Sequence, residues 1–319
     1  MFNYTQSPIR SLDGLIANKL ATINSTSQQL WTYTLSNNLV HIQFHQRYFD
    51  GPAQGGNIIK CSYQFLDFMW CACLYWFITE EESKRFLSRN PNAQILMFDD
   101  EDLCNYYNRV FDHMEAIYLG NDNNIWDSSM YSPVNLSNSS NINDYINKAN
   151  SLYSTAISFI LSHELGHFYH NHQFIRNNHI HNIQNEEQAD NFAIDLIFDG
   201  NPNNITRINL IFGCILGCLS CIHLYGHPNH PQTALLDPDH PPLHERLIKI
   251  LDYNAPFNYG PIINGINIEE DYFYHLITQV IGFYLERYCQ QRLPSYIANY
   301  NNKNHFISLL PFINQYIHI

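Results

Sequence analysis

Charge is scarce in this chain. Only 14% of its 319 residues are Asp, Glu, Lys or Arg, against roughly 25% in an ordinary soluble protein. Basic residues are the scarcer sign: 16 Lys and Arg face 29 Asp and Glu, a formal charge of −13. A nucleic-acid binder needs a basic face for the phosphates, so nucleic acid is excluded as a partner. Internal repeats are absent, which excludes solenoids and propellers. The opening MFNYTQSPIR has no charged segment followed by an apolar one, so no secretory signal is expected. The eight cysteines are then expected as free thiols in a reducing, cytoplasmic compartment. No apolar run reaches the roughly 20 residues of a spanning helix. The nearest approach, 210–225, carries no formal charge and reads as a buried core helix, with peripheral or inner-membrane association as its alternative. Residues 65–78 are shorter, contain Asp67 and read the same way.

Apolar residues make up 45% of the chain and aromatic ones 14%, enough for a sizeable core. Polarity comes instead from uncharged side chains; Asn alone is roughly one residue in eight. There are also 17 histidines, which directs attention to metal chemistry.

Periodicity predicts a mainly α, α+β fold. A strand is expected at Leu39–Phe44, a turn or loop at Gly51–Gly56, and further strands at Gln94–Phe98 and Ala116–Leu119. One helix is expected over 61–78, and a second over 80–88 with Thr79 and Glu82 as its capping box. Residues 121–150 read as a long polar loop of the kind that serves as a lid. Helices follow near 144–173, 185–199, 204–225, 241–253 and 268–292. The division expected is an N-terminal α/β subdomain, 1–120, and a helical domain, 121–319, which together can form one compact unit.

The strongest local signal is Ser162-His163-Glu164-Leu165-Gly166-His167. Two His four residues apart on a helix share a face and can hold one zinc ion; the Glu between them can act as general base. Roughly 0.03 such matches arise by chance in a chain of this composition, so context matters. Ala156, Ile157 and Ile160 form an apolar stripe that continues onto His163, Glu164 and His167. The trio therefore faces the core, where buried polar groups need partners and a metal supplies them.

The metzincin spacing places Gly at 170 and His at 173; here His170 and Gln173 stand there, which removes that subclass. The following helix carries Glu186, one turn before the buried Ala189 and on its face. Glu186 is expected as third zinc ligand, with Glu187 rotated about 100° away as its rival. Asp190 is expected to accept a hydrogen bond from a liganding imidazole. Their structural alternative is acidic residues complementing a helix dipole. His170 is a weaker ligand candidate, and His172, His179 and His181 read as exposed loop or helix-end residues. Farther on, Asp239-His240-Pro241-Pro242-Leu243-His244-Glu245-Arg246 offers His240, and after it His244, as oxyanion donors. Arg246 reads as an ion-pair partner for an acid.

HELGH, then E-x-x-A-D on the next helix, then HPPxxxR, resembles the gluzincin metallopeptidases that include the CAAX prenyl protease and the HtpX group. Those have several membrane spans. Within that class the chain is similar to the Lit-like phage-exclusion peptidases, chiefly over 150–250. The resemblance implies a zinc-dependent endopeptidase with a cytoplasmic protein target, linked to phage exclusion and open to gating by a protein or peptide activator. The ImmA/IrrE-type regulatory metallopeptidases share HELGH followed by E-x-x-A-N-x-F-A, close to Glu186–Ala193, and stand second. A catalytically silent zinc-containing sensor is the alternative from another class. The expected architecture is zincin-like, with the third ligand on the helix after HExxH and an antiparallel strand edge, Ala116–Leu119, beside it for substrate.

Overall fold

The computed structural model describes residues 7–45, 53–90, 98–119, 126, 130–173, 175, 178–200, 202–220, 239–257, 262–263, 266–267, 273–274, 276–279 and 281. The fold is mainly helical with a small sheet. Its helices are α1 (Asp13–Thr22), α2 (Ser25–Ser36), α3 (Tyr63–Arg89), α4 (Glu101–Tyr118), α5 (Ser140–Tyr169), α6 (His179–Phe198), α7 (Asn204–Ser220) and α8 (Leu243–Asn254). Three strands, β1 (His41–His45), β2 (Ala53–Gly55) and β3 (Ile58–Ser62), pair in the order β1-β3-β2. β1 runs parallel to β3, and β2 antiparallel to it, with Gln54 opposite Ile59. A second hairpin pairs β4 (Ile262–Ile263) with β5 (Ile266–Asn267).

The molecule is organised around α5. Ser139 caps its start by accepting from the Ile142 amide, so the helix begins inside the stretch predicted as a loop. From Leu152 to Gly166 every residue is buried. Several polar side chains of this buried stretch are satisfied by the helix's own backbone. Ser154, Thr155 and Ser158 donate to carbonyls three or four residues back, at 2.6–3.0 Å. The same small residues let α7 approach closely. A Cβ placed on Gly213 would lie 2.6 Å from Thr155 Cβ, and one on Gly217 would lie 3.2 Å from the Ala156 carbonyl oxygen. The uncharged run predicted from 210 is thus a core helix as far as Ser220. Residues 221–225 of that prediction lie outside the described residues. Among the described residues no helix is long and apolar enough to cross a membrane.

Several sequence expectations are corrected. Ala116–Leu119 is no strand: it closes α4, whose apolar stripe at helical spacing runs through Leu103, Tyr106, Val110 and Met114. Helix 61–78 does not stop for a capping box. α3 continues for 27 residues, because Thr79 Oγ1 donates back to the Tyr75 carbonyl (2.8 Å) instead of capping. Glu82 instead accepts from Tyr145 on α5 and pairs with Arg85. Gly51–Gly56 includes strand β2. Ala-Gln-Gly has low strand propensity, and it is the ladder offered by β3 that extends it. Gly56, at φ 62°, then makes the left-handed first corner of a two-residue hairpin turn. The strand predicted at 94–98 lies outside the described residues except for Phe98, as does much of the helix predicted at 268–292.

α8 is clasped to α7 by Arg207, which is fully buried. Its Nη1 donates to Asn254 Oδ1 at 2.6 Å, and its guanidinium lies 3.9 Å from the Phe257 ring centroid. This clasp fixes the helix that brings Arg246 towards α5 and α6.

The α5–α7 contact gives a direct test. Gly213→Val would force a side chain into Thr155, and the small helix-propensity gain of Val over Gly does not offset that. A stability loss of about 2 kcal/mol is expected from overpacking, read as a lower urea midpoint at unchanged slope.

Candidate metal centre

α5 and α6 cross at the HELGH segment. A Cβ on Gly166 would lie 3.0 Å from Ala189 Cα and 3.2 Å from Phe192 Cβ, so glycine is what lets the backbones meet. Their approach brings His163 and His167 of α5 opposite Glu186 of α6. The two Nε2 atoms are 3.1 Å apart. The Glu186 carboxylate reaches His163 Nε2 at 3.1 Å through Oε2, and His167 Nε2 at 3.3 Å through Oε1. One ligand atom from each residue lies within 4.8 Å of the others. Tetrahedral zinc with bonds of 2.0–2.1 Å holds its ligand atoms about 3.3–3.4 Å apart. The donor set and its spacing therefore fit a divalent metal of zinc's size. Glu187 is exposed and does not join the group.

His163 is held from behind. Its Nδ1 lies 2.9 Å from Asp190 Oδ1, and Arg246 grips the same carboxylate at both oxygens, 2.8 Å from Nε and 2.7 Å from Nη2. Asp190 is 2% exposed, and an unpaired carboxylate there would be costly. Burial by itself raises the Asp190 pKa, but Arg246 and His163 outweigh it and hold the group below the usual carboxylate range. Glu186 behaves alike: burial raises it, and His163 and His167 carry it well below. For His163 burial lowers the pKa, yet the bonds to Asp190 and Glu186 win and raise it to about 10.

Glu164 points into the same cleft, 7% exposed. Its Oε2 accepts from the Gln54 backbone amide of β2 at 2.6 Å. Burial raises its pKa, opposed by His163 and His167 and by that amide. The cleft has a volume of about 210 Å³; besides His163, Glu164, His167 and Glu186, it is lined by Ala53, Gln54, His172, Asn182, Asn185 and His240. No described residue of 121–150 lines it; residues 121–125 and 127–129 of the predicted loop lie outside the described residues.

His240 stands at the cleft mouth, its side chain one-third exposed, with Nε2 3.5 Å from Glu186 Oε2. The preceding Asp239 anchors this turn to α6, accepting from Asn182 Nδ2 at 2.7 Å and meeting His179 Nδ1 at 2.9 Å. His179 and His181 lie in the first turn of α6, which starts six residues before the predicted 185 because Asn178 caps it. The side chain of His244 lies outside the described residues.

Two contributors were missed in the sequence. One is the Gln54 amide, invisible because a backbone group has no residue signature. The other is His172, read as exposed but placed with Nδ1 2.9 Å from His167 Nδ1 and Nε2 3.0 Å from Gln188 Oε1. Burial lowers its pKa. The available signal was Asn171, a good left-handed helix stop, which sits at φ 53° and turns the chain back. His170 is exposed and stacks on the His172 ring, 5.3 Å between centroids, without facing the metal group.

The profile of the Peptidase U49 family matches residues 59–259, well over half of the chain, from β3 to the turn after α8. The chain belongs to the Peptidase U49 family. Membership makes it a peptidase, and a peptidase acts on protein or peptide. All the residues described around the cleft fall within the matched region except Ala53 and Gln54, just ahead of it. No curated protein and no solved structure matches the chain significantly.

A metal at His163 Nε2 would compete with a proton there, because the bonds to Asp190 and Glu186 raise the His163 pKa to about 10. A metal needs neutral imidazole, so binding should release about one proton near pH 7. Affinity should rise with pH up to about 10 and fall on acidification. Calorimetry in buffers of different ionisation enthalpy checks this; zero net release would contradict it.

Proposed function

We propose that this U49 peptidase is a zinc-dependent endopeptidase of the zincin type. The observation that carries the reading is the convergence of the His163 and His167 Nε2 atoms with the Glu186 carboxylate, beside Glu164 in one cleft. Three protein ligands leave a coordination position open, which suits catalysis rather than a closed structural site. When bound, zinc lowers the pKa of a coordinated water to about 7 and polarises the scissile carbonyl.

Every other task falls to the chain itself. Gln54 N–H occupies Glu164 Oε2, which leaves Oε1 to take the proton from the attacking water and return it to the leaving amine. The raised pKa of Glu164 suits a group that must accept and release a proton near neutrality. Asp190, held by Arg246, keeps His163 oriented with Nε2 forward. His240, tethered through Asp239, is positioned to donate towards the oxyanion.

β2 takes the substrate-strand role first expected of Ala116–Leu119. In an antiparallel strand the N–H and C=O of one residue point to the same side. Gln54 N–H turns from β3 towards Glu164, so its carbonyl also faces the cleft, ready to accept from an extended peptide. The setting implied by the sequence resemblance, a cytoplasmic protein cleaved during phage exclusion, is part of this reading, as is gating by an activator.

Glu164→Gln tests it. The variant should retain one zinc per chain and lose about 10²–10⁴-fold in cleavage of an unfolded protein such as casein. Undiminished cleavage would overturn the reading. Stable zinc without turnover in the unmodified chain would favour a silent sensor.

A further inference from the structure

His163 and His167 are oriented by different means. Behind His163 stands the Asp190–Arg246 pair; behind His167 stands another imidazole. α5 ends in a hydrogen-bonded reversal: His172 N–H donates to the His167 carbonyl at 3.0 Å, and Asn171 N–H to that of Phe168 at 3.1 Å. With Asn171 left-handed, this is the Schellman arrangement, which brings the second residue past the cap against the third residue before it. In most helices that contact is apolar. Here the two residues are His172 and His167, and their Nδ1 atoms meet at 2.9 Å.

The donor and acceptor roles follow in order. His167 Nε2 faces His163 and Glu186. If Nε2 is given to a metal, the ring proton must sit on Nδ1. His172 Nδ1 must then accept the hydrogen bond from His167 Nδ1–H, which places the His172 proton on Nε2. Nε2 finds an acceptor at 3.0 Å, Gln188 Oε1. Each group in the chain has one role and one partner. The His170 ring, stacked at 15°, fixes the plane of His172. With both nitrogens of His172 engaged, it is not itself a ligand.

We propose that His172, completed by Gln188, is the positioning residue for the metal ligand His167, selecting the tautomer that presents Nε2 to the metal. This rests on reading His163, His167 and Glu186 as a zinc site.

The test compares full-length chains by zinc affinity, from chelator competition, and by the absorption spectrum with cobalt substituted. His172→Phe keeps a ring and removes the acceptor. His172→Asn puts an amide oxygen where Nδ1 sits and keeps it. The Phe variant should bind zinc about 10–100-fold more weakly, with an altered cobalt spectrum. The Asn variant should restore both. Equal affinity in the Phe variant and the unmodified chain would overturn the proposal. So would an Asn variant as weak as Phe, which would mean that shape rather than hydrogen bonding matters. If the Phe variant does not fold, Gln188→Ala, on the exposed side of α6, carries the test. It should weaken zinc binding in the same direction, and unchanged affinity would overturn the relay. An unmodified chain that binds no zinc would instead defeat the metal reading itself.

Discussion

Gly166 lets two helix backbones touch, and the centre exists because they do. The rings of His163 and His167 leave α5 one turn apart, and the Glu186 carboxylate enters from α6 to within 3.1–3.3 Å of both. That spacing requires the helix axes to be close at one level, and Ala189 and Gly166 mark the level. A larger residue at 166 would push α6 outwards and carry Glu186 and Asp190 with it. The core behind supports the same geometry: Gly213 and Gly217 seat α7 against α5, and Arg207 holds α8 where Arg246 can reach Asp190.

Concentrating acids in this cleft has an electrostatic price, which named partners offset. Asp190 is buried and is neutralised by bidentate Arg246. Glu164 is buried and accepts a backbone amide from Gln54. Glu186 is half-buried between two imidazoles, and together with Asp190 it raises the His163 pKa. On the proposed metal reading, a proton and a divalent cation would compete for one position, since either supplies the positive charge that the acids around it favour.

Around that centre the cleft is assembled from segments far apart in sequence. β2 contributes a backbone edge, α5 and α6 the charged groups, and the 239–240 turn the histidine at the mouth. The turn is held by Asp239 on Asn182, a residue of the same α6 that carries Glu186. One helix therefore sets both the metal group and the group facing it across the cleft. A reader of the sequence sees a motif and two later segments; the fold makes them the walls of a single space.

The local part of this was legible in the residues. His163, Glu164 and His167 follow from their spacing alone, and Glu186 and Asp190 from the buried stripe of the next helix, because a helix of 3.6 residues per turn maps spacing onto a face. Length and hydropathy were enough to read 210–220 as a core helix. The rest depends on contacts between distant segments, which no local period encodes. Ala116–Tyr118 looks like part of a strand in isolation and is helical because α4 packs an apolar stripe on α3, with Leu119 as the helix cap. Ala53–Gly55 looks like a loop and is a strand because β3 offers it a partner. Gln54 acts through its backbone, so its side-chain identity carries no trace of the role. His172 reaches His167 only because Asn171 turns the chain left-handed after α5. Helical spacing alone was enough to place His163, Glu164, His167 and Glu186 on facing sides of two helices. Tertiary structure decided which groups stand behind them, since hydrogen bonds of this kind require atoms within about 3 Å and sequence spacing sets such distances only within one helix.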